Sequence, residues 1–230
     1  MRVEHPTIGY EREIDVAEQA CVYVVDDDER MRASISSLLR SVGVRVETFA
    51  SARDFLAFKR TSGPSCLVLD VRLPNECGLE FQQQLSAIGL SMSIVFISGH
   101  GDIPMTVQAM RAGAIDFLSK PFRDQNLLDA VRNGLRQDRG RADTERTISV
   151  LRKRYESLTA KERKIMEFVH AGLLNKQIAD RMHLSEITVK THRALAMKKM
   201  GSRCIAEFVR AGEMLQLDPT HRFVLRPELV

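Results

Sequence analysis

The chain has 230 residues, 44% hydrophobic and 28% charged, which suits globular domains and excludes both a membrane-embedded protein and a wholly disordered one. That length exceeds a usual single domain, so two cores are expected; no run of about 18 apolar residues could span a bilayer, and the first twenty residues lack a signal peptide's apolar centre, so no membrane association and a cytoplasmic location are expected. The net charge of +4 is unevenly spread, at −3 over residues 1–19, −1 over 20–138 and +8 over 139–230, so the C-terminal part suits a polyanion partner, although a merely solubilising surface would look similar.

Residues 1–19 are expected to form a mobile N-terminal extension. From 20 to 138, short apolar runs alternate with amphipathic stretches. "CVYVV" (21–25), "VRVETF" (44–49), "CLVLD" (66–70), "IVFIS" (94–98) and "AIDFLS" (114–119) read as strands. Met31, Ile35, Leu38, Leu39 and Val42 recur at helical spacing and stop at Gly43, a residue suited to the position after a helix end. "SARDFLAFKR", "GLEFQQQLSAI", "IPMTVQAMRAG" and "QNLLDAVRNGL" supply the other helices. Strands alternating with helices imply a doubly wound parallel five-stranded sheet, flavodoxin-like, with helices on both faces. Its ligand site lies beyond the C-terminal ends of the strands.

That rule gives meaning to "DDD" after the first strand. Asp26 and Asp27 sit on the same sheet edge as Asp70, which ends the third strand; in the order 2-1-3-4-5 these strands are neighbours. Crowded carboxylates repel, and a hard divalent cation with oxygen ligands, Mg2+ by preference, would neutralise them. The triplet alone fits helix capping equally well, a role that suits Asp28. Ser98 and Lys120 end the fourth and fifth strands and bring a hydroxyl and an ammonium to the same rim.

In these residues, together with "LDVRLP", "SGHGD" and "KPF", residues 20–138 resemble the receiver domain of two-component response regulators. The resemblance implies that a sensor histidine kinase transfers a phosphoryl group to Asp70, the phosphoacceptor. It also implies a Mg2+ site made by Asp27, by Asp26 through water, by Asp70 and by the backbone carbonyl of Arg72. Lys120 would pair with phosphoryl oxygens, Ser98 would move to bond one of them, and Phe117 would be an aromatic rotamer switch. Many receivers carry Thr at the position of Ser98, but the hydroxyl is kept.

Residues 139–156 are charged and compatible with a helix-rich linker; Ile148, Leu151, Tyr155 and Leu158 keep a narrow apolar seam, while Gly134 and Gly140 are points where it could bend. The second domain, 157–218, opens with Thr159 and Glu162 at capping-box spacing, ahead of the apolar stripe Ile165, Met166, Phe168 and Val169. "NKQIADRMHL", "SEITVKTHRALAMKKMG" and "SRCIAEFVRAGEML" complete an all-α four-helix unit whose short turns suit a helix-turn-helix. In its third helix Val189, His192, Ala196 and Met200 face a core. Lys190, Thr191, Ala194 and Lys198 fall on the opposite side, suited to a major groove, with Arg193 on the shoulder. Residues 219–230 read as a tail. Cys21, Cys66, Cys77 and Cys204 show no metal or C-x-x-C spacing and are expected to be reduced.

Residues 157–215 resemble the LuxR/FixJ-type DNA-binding domain, most specifically in "NKQIA" and "TVKTH". The likeness implies that Lys190 and Thr191 carry much of the contact with double-stranded DNA, that Lys176 assists at the backbone, and that the fourth helix pairs two protomers. Ala194 departs from members with a longer polar side chain there. The whole chain is thus similar to FixJ/NarL-class response regulators, and its pattern to regulators of aromatic-hydrocarbon degradation. Such a protein is a transcription regulator that forms a homodimer on phosphorylation and can engage RNA polymerase; at most it dephosphorylates itself slowly. Two other readings stand beside this one. A Mg2+-dependent phosphohydrolase with an aspartyl nucleophile usually carries a second acid two residues on, where this chain has Arg72. A phospho-switch acting only through protein partners would lack salt-dependent DNA binding.

Overall fold

The computed structural model describes residues 20–61, 63–74, 76–99 and 103–217, so the extension at 1–19, the tail at 219–230 and the "HGD" of "SGHGD" lie outside the described residues. The chain divides into two compact units, 1–142 and 143–230.

The first unit is built from β1 (Cys21–Val25), α1 (Glu29–Ser41), β2 (Arg45–Phe49), α2 (Ala52–Ala57), β3 (Ser65–Asp70), β4 (Arg72–Leu73), β5 (Glu76–Cys77), α3 (Gly78–Ala87), β6 (Ser93–Ser98), α4 (Ile103–Arg111) and β7 (Asp116–Ser119). Five strands pair in parallel in the order β2-β1-β3-β6-β7, which is the expected 2-1-3-4-5 once the small antiparallel β4–β5 hairpin is set aside. The sequence pattern gives no hint of that hairpin, because two-residue strands show no periodicity.

A period of two sorts the strand side chains between two cores. Cys21, Tyr23 and Val25 of β1, with Leu67 and Leu69 of β3, pack against Phe55 of α2, Phe81 and Leu85 of α3, and Ala109 of α4. Val22, Val24, Cys66 and Val68 point the other way, onto Ile35 and Leu39 of α1 and onto Leu127, Ala130 and Val131 of α5 (Asp124–Glu156). Both faces are covered, which explains why the strands read as nearly unbroken apolar runs.

Helix α5 runs unbroken through Gly134 and Gly140, the points at which it could bend. Gly134 serves close packing instead: a Cβ there would lie 2.6 Å from the Cys66 sulfur. One turn on, the buried carboxylate of Asp138, 4% exposed, accepts from the Ser65 backbone N–H (2.8 Å) and from the Ser65 hydroxyl (3.3 Å). It also pairs with Arg141. The C-terminal part of α5 in this unit is thereby bound to the first residue of β3.

The second unit contains α6 (Ala160–His170), α7 (Asn175–Met182), α8 (Glu186–Met200) and α9 (Ile205–Met214). Thr159 and Glu162 form the expected capping box, the Thr159 N–H donating to Glu162 Oε2 at 2.7 Å and the Glu162 N–H to Thr159 Oγ1 at 3.3 Å. Ile165, Met166, Ile178, Val189, Ala196, Met200 and Phe208 make its core, and Leu151, Tyr155 and Leu158 pack with them. Between α7 and α8 the chain turns at His183, whose φ of 52° is left-handed, and Ser185 caps α8 by accepting from the Thr188 N–H. Arg154 donates to the Met200 carbonyl (2.9 Å), placing a cation at the negative end of α8. Among the described residues no helix is long and apolar enough to cross a membrane.

Candidate functional site

The rim at the C-terminal ends of β1, β3 and β7 gathers the predicted acids and lysine. One carboxylate oxygen from each of Asp26, Asp27 and Asp70 lies within 4.8 Å of the other two; Asp26 and Asp70 are buried, Asp27 is exposed. Lys120 reaches in from the end of β7, its Nζ 2.7 Å from Asp26 Oδ2 and 2.6 Å from Asp70 Oδ2. The turn after β1 is tied together locally. Asp26 Oδ1 accepts from the Asp28 N–H at 2.8 Å, and Asp28 Oδ1 caps α1 by accepting from the N–H groups of Arg30 and Met31. Arg32, one turn into α1, donates to the carbonyls of Asp26 (2.7 Å) and Asp27 (2.9 Å), holding both acids on the rim.

Asp70 is oriented by its own loop. Its Oδ1 accepts from the Arg72 N–H at 2.9 Å, and the β4–β5 hairpin folds back so that the Gly78 N–H donates to the Val71 carbonyl (2.8 Å). A Cβ at residue 78 would come within 2.5 Å of the Asp70 carbonyl oxygen, so only glycine allows this return of the chain beside the acid. Ser98 is buried at the end of β6, and its carbonyl accepts from the Lys120 N–H at 2.7 Å, which links the hydroxyl-bearing residue to the lysine. Phe117 is half-buried on β7 with its ring 6.3 Å from that of Phe96.

Burial pushes the Asp26 carboxyl above the ordinary carboxylate value, against the opposing pull of Lys120 and the Asp28 N–H. For Lys120, burial acts to weaken the ammonium, but the hydrogen bonds it donates to two carboxylates outweigh this and leave the group above its usual value. The rim is therefore a charge cluster in which one cation is shared by two buried anions.

On α8, Val189, Ala196 and Met200 are buried and His192 is half-buried, as the spacing predicts, while Lys190, Thr191, Ala194 and Lys198 are exposed on the other side. Lys176, in the first turn of α7, is exposed too. Arg193 is different. It is half-buried and its Nη1 donates to Asn175 Oδ1 at 2.9 Å, so it braces α8 against the start of α7. Thr191 donates its hydroxyl to the Ile187 carbonyl at 3.0 Å. Lys199 leaves the outer face and pairs with Glu162 at 2.6 Å, which together with the Thr159 N–H holds the Glu162 carboxyl below its ordinary value.

The response regulator receiver domain family matches residues 22–132, and the luxR family of bacterial regulatory proteins matches residues 156–211. The chain is a response regulator. It is 48% identical to nodulation protein W of Bradyrhizobium diazoefficiens over 207 residues, covering 90% of this chain and 91% of that protein. It is 45% identical to response regulator protein TodT of Pseudomonas putida over 195 residues, 85% of this chain and 86% of TodT. Among solved structures it is similar to response regulator StyR, with 46% identity, a TM-score of 0.71, and coverage of 85% of this chain and 98% of StyR.

A receiver joined to a luxR-type domain makes this response regulator a DNA-binding transcription regulator of the FixJ/TodT type, and does not favour the phosphohydrolase reading. Sequence reasoning missed Arg32, Gly78 and Asp138. The first two carried a faint signal, an arginine one turn into the helix after the acids and a glycine at a helix start. Asp138 carried none, because its partner Ser65 is far away in sequence.

Proposed function

We propose that Asp70 accepts a phosphoryl group from a sensor histidine kinase and that the modified receiver raises occupancy of paired DNA half-sites by the helical unit. The observation that carries this reading is the seat of Lys120 between Asp26 and Asp70. An ammonium already on the nucleophile's oxygen is positioned to meet phosphoryl oxygens as charge builds on them. In the transfer, an Asp70 carboxylate oxygen bonds phosphorus as the bond from phosphorus to the kinase histidine nitrogen breaks, and that nitrogen keeps the electron pair.

The donor set fits a divalent cation: it is all oxygen, anionic, and open to solvent on the Asp27 side. Asp26, Asp27, Asp70 and the Arg72 carbonyl would hold Mg2+, which when bound supplies neutralisation of phosphoryl charge. Lys120 and Ser98 act as the receiving groups on the new phosphate, and Phe117 follows Ser98 inward, altering the surface of α4 and β7. Hydrolysis of the aspartyl phosphate resets the switch slowly.

On the output side, Lys190, Thr191 and Lys198 meet DNA from the exposed face of α8, Lys176 supports them at the backbone, and Arg193 acts chiefly by fixing the angle of α8 through Asn175. Release of the helical unit or homodimerisation transmits the switch, and bound dimers engage RNA polymerase. The test is solution mass and duplex binding, measured with and without beryllofluoride and Mg2+. The phosphate mimic is expected to raise both. An Asp70→Asn chain that still responds in proportion to phosphodonor would overturn the assignment.

A further inference from the structure

We propose that Ile187 is a sequence-reading residue of the DNA-binding face: with Thr191 and Ala194 it forms an apolar strip on α8 that takes the C5-methyl groups of thymines in the major groove. This rests on the reading of the helical unit as a DNA binder. Ile187 is 76% exposed, in the first turn of α8. Residues 187, 190, 191, 194 and 198 fall within about 100° of the helix circumference at 3.6 residues per turn. Ile187, Thr191 and Ala194 therefore line up along one stripe, with Lys190 and Lys198 on the same face.

Exposed single isoleucines are ordinary on protein surfaces and need no function. Three features separate this one. The buried side of α8 is already filled by Val189, Ala196 and Met200, so folding makes no demand on Ile187. The Thr191 hydroxyl donates its proton to the Ile187 carbonyl, so Thr191 has no donor to offer a base edge and adds to the strip a methyl group and an acceptor oxygen. It also lies on a face that bears exposed lysines, complementary to phosphate, at the N-terminal end of the second helix of a helix-turn-helix, the end that reaches base edges.

In the major groove the thymine methyl is the one apolar feature of a base pair, so an apolar strip selects for it without hydrogen bonds. Ile187, branched, two carbons longer than Ala194 and about 10 Å from it along the helix, covers a methyl group that Ala194 does not reach. The short side chain of Ala194 lets the helix approach closely enough for Ile187 to touch it.

The experiment selects duplexes from a random-sequence library with the full chain in beryllofluoride and Mg2+, then replaces thymines of the preferred duplex by deoxyuridine, one at a time. Removing a contacted methyl is expected to weaken binding by about fourfold, the factor for one buried methyl-sized group. Ile187→Ala is expected to lose a similar factor on the thymine duplex, to bind the matching deoxyuridine duplex no worse, and to keep the salt dependence of the parent. Equal binding of every deoxyuridine duplex by the parent would overturn the proposal, as would an Ile187→Ala chain that keeps the full methyl dependence; in both cases salt-dependent duplex binding would leave the DNA reading standing. Absence of salt-dependent binding to any duplex would remove that reading and the proposal together.

Discussion

The rim of the receiver and the outer face of α8 use charge in opposite ways. At the rim, Lys120 is bonded to the carboxylates of Asp26 and Asp70, each of which also accepts from a backbone N–H of its own loop. On α8, Lys190 and Lys198 stand exposed and make no ion pair among the described residues. The first arrangement keeps its charges fixed before anything arrives, so a small added charge has a large local effect. The second leaves its cations solvated, an arrangement suited to a polyanion, and binding through it would displace counterions and fade with salt.

Four substitutions break or sharpen that contrast, from the largest effect to the smallest. Asp70→Asn removes the proposed phosphoacceptor and is expected to abolish phosphate incorporation, read by intact mass after exposure to a phosphodonor. Lys120→Met leaves Asp26 and Asp70 without their shared cation and is expected to cost about 3 kcal/mol in urea unfolding at neutral pH. That deficit shrinks on acidification, because a carboxyl held above its ordinary value takes up a proton more readily in the fold than in the unfolded chain.

Asp138→Ala strands the Ser65 N–H and removes the partner of Arg141, for an expected loss of about 1–3 kcal/mol with Asp70 chemistry unchanged. Lys190→Ala is expected to leave urea unfolding unaltered while lowering the slope of log affinity against log salt by about 0.9. An unfolding cost as large as that of Lys120→Met would erase the distinction between the two regions.

Glu162 supplies a pH test inside the helical unit. Its carboxyl is held below the ordinary value near 4.5, so its stabilising contribution is present above that value and is lost as pH falls through the lower, folded one. Thermal unfolding followed down from pH 6 should show that loss in the parent chain and not in Glu162→Gln.

Most of the fold was written in short-range patterns. Alternation within β1 sorts Tyr23 and Val24 to opposite cores, and helical spacing assigns Val189 and Met200 to the inside of α8. The rim was legible because strand ends in a parallel sheet share an edge, so Asp26, Asp70 and Lys120 converge by topology alone. Part of what escaped depends on contacts between segments far apart in the chain. Gly134, read as a point where the helix could bend, instead packs against the Cys66 sulfur of β3, and the hairpin of Arg72 and Cys77 was too short to announce itself. Arg193 looked like a surface cation until Asn175, in the preceding helix, claimed its guanidinium.

The grip of Asp138 and Arg141 on the start of β3 ends one residue before the boundary between the two units. A chimera joined after residue 142 would carry the whole of that fastening with the receiver, whereas one joined at 137 would sever it. Domain-swapping work on this chain therefore has a natural splice point, set by a buried carboxylate and not by the edge of any helix.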